Sequence, residues 1–126
     1  MTCFWDSITS SLVDEEYRTL GIPRNREKLI QTLKNKNTLV NTLWQGKELT
    51  NKEKQEHFEA IKIYNISGIH NGHLTSVCDS FLLLISQILN VNILHNYRGT
   101  IIHYTFRGSP RRTLKFKSNT GHFWRD

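Results

Sequence analysis

The sequence predicts an α+β fold, with N-terminal helices and a central buried helix packed on a small antiparallel sheet, in one domain spanning residues 1–126. Three observations carry this. Helix-period patterns with capping signals fill the first half. Val77 to Leu89 is apolar on nearly every side, as a buried helix requires. From Val91 onward, short apolar–polar alternations sit between turn-forming clusters, as strands do.

Each element has its own reason. Thr2 is a good N-cap, Phe4 and Ile8 fall on one face and Asp6 lies in the first turn, so a helix should run from about Cys3 to Val13. Asp14 to Arg18 reads as a short second helix, stopped at Leu20-Gly21 with Pro23 beyond. Arg24 to Val40 is helical again, with Ile30, Leu33 and Val40 inward and an interruption at Asn35-Lys36-Asn37. Thr42 to Glu48 is expected as a loop carrying Trp44. Thr50-Asn51-Lys52-Glu53 has capping-box spacing and opens a helix with Phe58, Ile61 and Tyr64 turned inward. Gly68 to Leu74 is a glycine-punctuated loop before the apolar helix. Val91 to Leu94 is a strand, Asn96-Tyr97-Arg98-Gly99 a turn, and Thr100 to Phe106 the return strand. Gly108-Ser109-Pro110 turns the chain into a strand from Arg112 to Lys117, with Leu114 and Phe116 inward. His122-Phe123-Trp124 is the last short strand.

Composition narrows the classes. The chain has 126 residues, enough for a core without staples, and 37% hydrophobic content, which is globular. The apolar run from Phe81 to Leu94 is interrupted by Ser86, Gln87, Asn90 and Asn92 and is too short and polar to span a bilayer. Acidic residues at Asp6 and Asp14 to Glu16 break any signal-peptide pattern. Two cysteines, Cys3 and Cys78, make neither a disulfide framework nor a cysteine-based zinc site, so a reducing, intracellular, cytoplasmic setting is the expectation. The net charge of +6 is uneven: residues 1–60 carry nine basic and nine acidic side chains, residues 61–126 eight and two. A basic half of this kind suits nucleic acid through Arg107, Arg111, Arg112, Lys115 and Lys117, although lysines and arginines alternating along strands are also an ordinary solvated face. Tyr97, Tyr104 and Phe106 would stack on bases only if exposed, and the alternation predicts Tyr104 and Phe106 to be buried.

Chemistry points to the two ends of the chain. Helix N-termini favour thiolates and oxyanions, and Cys3 stands where a helix begins. Its plainer reading is a small thiol packed under Phe4 and Trp5. His122 opens a strand 119 residues later, after Gly121, which would let the chain turn sharply, and before Phe123 and Trp124, which would fix and shield the ring. This is a papain-like pairing of nucleophile and base: thiolate attacks a carbonyl carbon, and imidazole carries the proton to the leaving amine. His70 and His73 are three apart but lack a Cys, Asp or Glu in their loop to complete a metal site, and neither a metal nor a cofactor is expected. His95 and His103 read as surface or cross-strand residues, Cys78 as buried and inert, and Asp6, Glu15 and Glu16 as first-turn charges.

Cys3-Phe4-Trp5-Asp6-Ser7-Ile8 resembles the nucleophile motif of the ovarian-tumour (OTU) family of cysteine deubiquitinases. Gly72-His73-Leu74, the apolar helix and Val91-Asn92-Ile93-Leu94 are similar to that family's mid-domain pattern, and Gly121-His122-Phe123-Trp124 to its final strand. The three together cover most of the chain, and the form resembles the compact one that large DNA viruses carry, which would put the protein in the host cytoplasm. The resemblance implies a thiol protease of papain-like, OTU-like fold acting on ubiquitin or a ubiquitin-like protein. Cys3 would be the nucleophile and His122 the general base. Thr2 and the Cys3 amide would form the oxyanion hole, and Gly121 and Trp124 would contact substrate. The family's Asp-Gly-x turn before the cysteine is absent, since only Met1 and Thr2 precede it. The acid that often stands two residues after the histidine is replaced by Trp124, leaving Asp126 as the substitute third residue. Three readings stay open: an OTU-like isopeptidase, an inactive OTU-like binding module, and a basic nucleic-acid-binding domain.

Overall fold

Helix-forming and strand-forming segments separate along the chain, and the computed structural model, which describes residues 3–66, 75–119 and 121–126, shows them as five helices and one five-stranded sheet. The helices are α1 (Cys3–Ser11), α2 (Asp14–Leu20), α3 (Arg26–Asn35), α4 (Asn51–Lys62) and α5 (Thr75–Leu89). The strands are β1 (Leu43–Trp44), β2 (Asn92–Tyr97), β3 (Thr100–Thr105), β4 (Thr113–Ser118) and β5 (Phe123–Arg125).

Local chemistry sets most boundaries. Gly21, left-handed at φ 72°, ends α2 by returning its N–H to Arg18. α3 is shorter than the pattern from Arg24 to Val40 suggests. Asn25 caps its start, accepting from the Lys28 N–H at 2.9 Å, and the helix stops at Asn35, just where the Asn-Lys-Asn interruption falls. Thr50 and Glu53 complete the capping box of α4 reciprocally, at 3.1 and 2.9 Å. Phe81 through Ser86 of α5 are all buried, so this helix is the centre of the core. None of the described helices is long and apolar enough to cross a membrane.

The sheet has the order β1-β3-β2-β4-β5 and is mixed rather than antiparallel. β2 and β3 form the expected hairpin, turning through Arg98 and Gly99 with φ of 52° and 93°, the left-handed pair that a two-residue hairpin needs. β4, however, runs parallel to β2, from Asn92 beside Thr113 to Tyr97 beside Ser118. Two causes are visible. The free edge of β3 is taken by β1, in a segment whose composition suggests only a loop; Trp44 packs edge-on against Tyr104 at 5.2 Å. The segment before β4 is held at the far end of the sheet, with the Arg111 N–H on the Asn90 carbonyl (2.8 Å) and the Asn92 N–H on the Arg112 carbonyl (3.0 Å). Gln45, beyond β1, extends its side chain along β3, donating to the Ile101 carbonyl and accepting from the His103 N–H.

One sheet face is the core face. Ile93, His95, Tyr104, Leu114, Phe116, Ser118 and Phe123 are buried there, against α5 and α1. On the other face Ile101, His103, Thr113, Lys115 and Lys117 are exposed.

Glu16 is fully buried and is not a simple first-turn charge. Its carboxylate takes Arg111 at 2.8 Å, Arg112 at 2.6 Å and the Val13 N–H at 2.8 Å. The same guanidinium groups also reach the Leu89 and Ser11 carbonyls. Burial pushes the Glu16 carboxyl up, but the hydrogen bonds from Arg112, Val13 and Arg111 together outweigh it and hold the group below its usual range. Replacing Arg112 by Ala leaves a buried carboxylate short of partners and should cost about 3 kcal/mol in chemical denaturation, the lower end for such a loss because Arg111 remains. A depressed carboxyl stabilises above its unfolded value of about 4.3 and loses that contribution as the pH falls through the folded value. Glu16→Gln should therefore flatten the decline of stability below about pH 4.3, read from melting temperatures across that range.

Candidate active site

Cys3 opens α1 and is half-buried, while Thr2, expected in the oxyanion hole, lies outside the described residues. The next turn of α1 explains how this end of the helix is held. Phe4 meets Phe123 edge-on at 4.9 Å, Trp5 meets Phe81 at 4.8 Å, and the Trp5 indole donates to the Tyr64 hydroxyl at 3.0 Å. The Ser7 hydroxyl lies 2.7 Å from the Cys3 carbonyl and 3.2 Å from the Phe123 carbonyl, donating across the junction of helix and strand. Asp6, at the surface, pairs with Arg26 at 2.8 Å and so ties α1 to α3.

α1 and β5 run in the same direction. Ser7 meets Phe123, and one turn later the Ser10 carbonyl accepts from Arg125 at 3.2 Å. Ser7 also bonds back to the Cys3 carbonyl at 2.7 Å, one helical turn before it. The start of α1 thus lies against the start of β5, the strand that His122 precedes. Cys3 and Phe123, whose carbonyls share the Ser7 hydroxyl, lie at one end of the helix–strand contact.

The side to which each group points is a different matter. Phe123 is buried toward α1, so strand alternation turns His122 and Trp124 to the outer face. There the two rings stack, with centroids 5.0 Å apart and planes at 28°. Trp124 holds the imidazole as expected, but Phe123 goes to the core and His122 is exposed. Asp126 does not reach His122. The chain stays extended between them, with the His122 carbonyl on the Asn119 N–H and the Asp126 N–H on the Lys115 carbonyl. Four residues of strand separate the two by about 13 Å. Gly121 is not required by its backbone: it has no positive φ, and an added Cβ would approach nothing closer than Asn119 Oδ1 at 3.9 Å. Asn119 shapes the turn instead, accepting from the Gly121 N–H at 2.9 Å.

The other histidines divide clearly. His95 is buried rather than superficial, 2.6 Å from Ser118 Oγ across β2 and β4 and 5.1 Å from the Phe123 ring. His103 is exposed, and His70 and His73 lie outside the described residues. His57, which no motif marks, joins a polar cluster of its own. Its Nδ1 is 2.8 Å from Ser80 Oγ, beside Asp79, which accepts from the Tyr104 hydroxyl at 2.6 Å. Burial lowers His57 and raises Asp79, the expected directions for groups drawn out of water. The one hint of it in the sequence is the polar trio Cys78-Asp79-Ser80 heading an apolar helix, with His57 four residues before buried Ile61 on the facing helix. Among the described residues, no three His, Cys, Asp or Glu come together as metal ligands.

The basic patch is largely committed elsewhere. Arg111 and Arg112 grip Glu16, and Arg107 pairs with Glu48 at 2.8 Å, so these three do not line an outward sheet face. Tyr104 is buried, and only Lys115 and Lys117 remain as exposed strand cations from that group.

No family model matches the chain, and neither does a curated protein or a solved structure. Burial pushes the Cys78 thiol well up, so the two cysteines should differ in reactivity. Iodoacetamide under native conditions should alkylate Cys3 and spare Cys78 until denaturant is added, as peptide mass mapping will show. Asp126→Asn should leave the Cys3 alkylation rate unchanged.

Proposed function

We propose that the chain is an OTU-like cysteine protease that hydrolyses ubiquitin or ubiquitin-like isopeptide bonds through an acyl-enzyme intermediate. One observation supports this most: α1 packs on β5, and the Ser7 hydroxyl lies within reach of both the Cys3 and the Phe123 carbonyls, so the thiol that opens the helix is at the start of the strand that His122 precedes. In the reaction, the Cys3 thiolate attacks the isopeptide carbonyl carbon. His122 takes the thiol proton and returns it to the departing lysine amine, and water then hydrolyses the thioester. The ring must leave Trp124 and swing round the start of β5 to do so. With Asp126 about 13 Å away along the strand, the pair works as a dyad.

The stacking of His122 on Trp124 favours a second reading, an inactive OTU-like module that binds the same partner without cleaving it. Ubiquitin carrying a C-terminal electrophile separates the two. Under the first reading the wild type and Cys78→Ala form an adduct, Cys3→Ala forms none, and His122→Ala slows it about 100-fold or more. Binding without an adduct supports the inactive module. An adduct that survives Cys3→Ala, or neither binding nor adduct, overturns both.

A further inference from the structure

The outer sheet face is built differently from the rest of the surface. Three strands present it in two crossing rows set by the register. One row carries Leu94, Lys115 and Asp126, the other Asn96, Lys117 and Trp124. Between them lies a shallow groove of about 190 Å³, floored by Leu94 and Ile101 and walled by Lys115. Trp124 is half-buried with His122 stacked on it, so a flat aromatic pair stands at one edge, directly beside Lys117.

The charge on this face is lopsided. Lys115 and Lys117 are exposed, and neither is in an ion pair among the described residues. In the two rows the carboxylate is that of Asp126, at the corner of the face. Elsewhere Arg107 is paired with Glu48, and Arg111 and Arg112 share Glu16, which leaves the two lysines as the cations of this group with no ion-pair partner among the described residues. They are two residues apart on one strand, about 6.7 Å, a step that an extended phosphodiester backbone can follow. Aromatic rings beside a track of cations on an open sheet are what unpaired bases and their phosphates require. A duplex would not fit so well, because its bases are stacked on one another and offer no ring face to Trp124.

We propose that this face binds single-stranded nucleic acid, with a base stacked on the Trp124–His122 pair and adjacent phosphates on Lys117 and Lys115. It is a second activity beside the chemistry proposed at Cys3, with which it shares His122, and of the basic residues that the sequence singles out it uses Lys115 and Lys117 and not the arginines.

The test is fluorescence anisotropy of labelled ten-nucleotide oligo-dT and oligo-U with the full chain. Saturable binding should weaken as salt rises from about 50 to about 200 mM. Lys115→Thr with Lys117→Thr should weaken it about tenfold and flatten the log–log salt slope by about 1.4, at about 0.7 for each phosphate of a single strand that is no longer neutralised. Trp124→Ala should weaken it about fivefold or more through the missing stacking partner. Melting temperatures of the variants report whether they fold. Independently of any variant, the Trp124 indole and Lys117 amide resonances of the wild-type protein should shift on titration with the oligonucleotide. Absence of binding, equal binding by the double lysine variant, tighter binding of duplex, equal binding of poly-glutamate, or unmoved Trp124 and Lys117 resonances would each overturn the proposal.

Discussion

The carboxylate of Glu16 is the point on which the rest of the structure depends. It is out of contact with water, and a buried charge of that kind is tolerable only when fully paired. Its two arginines come from the segment just before β4, and each also binds a helix-end carbonyl. One charge cluster therefore joins α1, α2, the end of α5 and the start of β4. Because that segment is pinned across the end of the sheet, β4 lies beside β2 in parallel, and β5 is delivered next to α1. The contact of α1 with β5, where one hydroxyl bridges the Cys3 and Phe123 carbonyls, follows from an ion cluster at the opposite end of β4.

That contact is itself a layered device. Aromatic rings (Phe4, Phe123, Trp5, Phe81) give it apolar area, and the Ser7 hydroxyl and Arg125 guanidinium satisfy carbonyls along it. The ring contacts act through burial and edge-to-face geometry, while the hydrogen bonds set which residue meets which. Sliding α1 along β5 would break both kinds at once.

Much of this is legible in the residues. The capping box at Thr50, the glycine stop at Gly21, the buried run of α5 and the left-handed turn at Arg98-Gly99 are local features, and local chemistry writes them plainly. The order of the strands is not, because alternation along β4 says which face is buried and nothing about which strand lies beside it. β1 is two residues long, too short for any period to show, and exists because Trp44 finds Tyr104. The role of Arg111 and Arg112 depends on a partner almost a hundred positions earlier. The candidate site divides in the same way. Cys3 and His122 can be named from their neighbours. The side to which His122 points follows from Phe123 being the buried member of the last strand, a step of strand alternation that aromatic content alone conceals.

The side chain of Gln45 has a consequence for how these molecules behave together. A sheet edge normally offers a row of unmet peptide groups to any passing strand. Past the two residues of β1, the edge of β3 offers few, since the Gln45 amide bonds the Ile101 carbonyl and the His103 N–H as a neighbouring peptide would. A single side chain counterfeits the next strand and then ends, with no backbone of its own to propagate. At that edge the sheet is closed to further copies, and the protein is guarded there against growing into fibres.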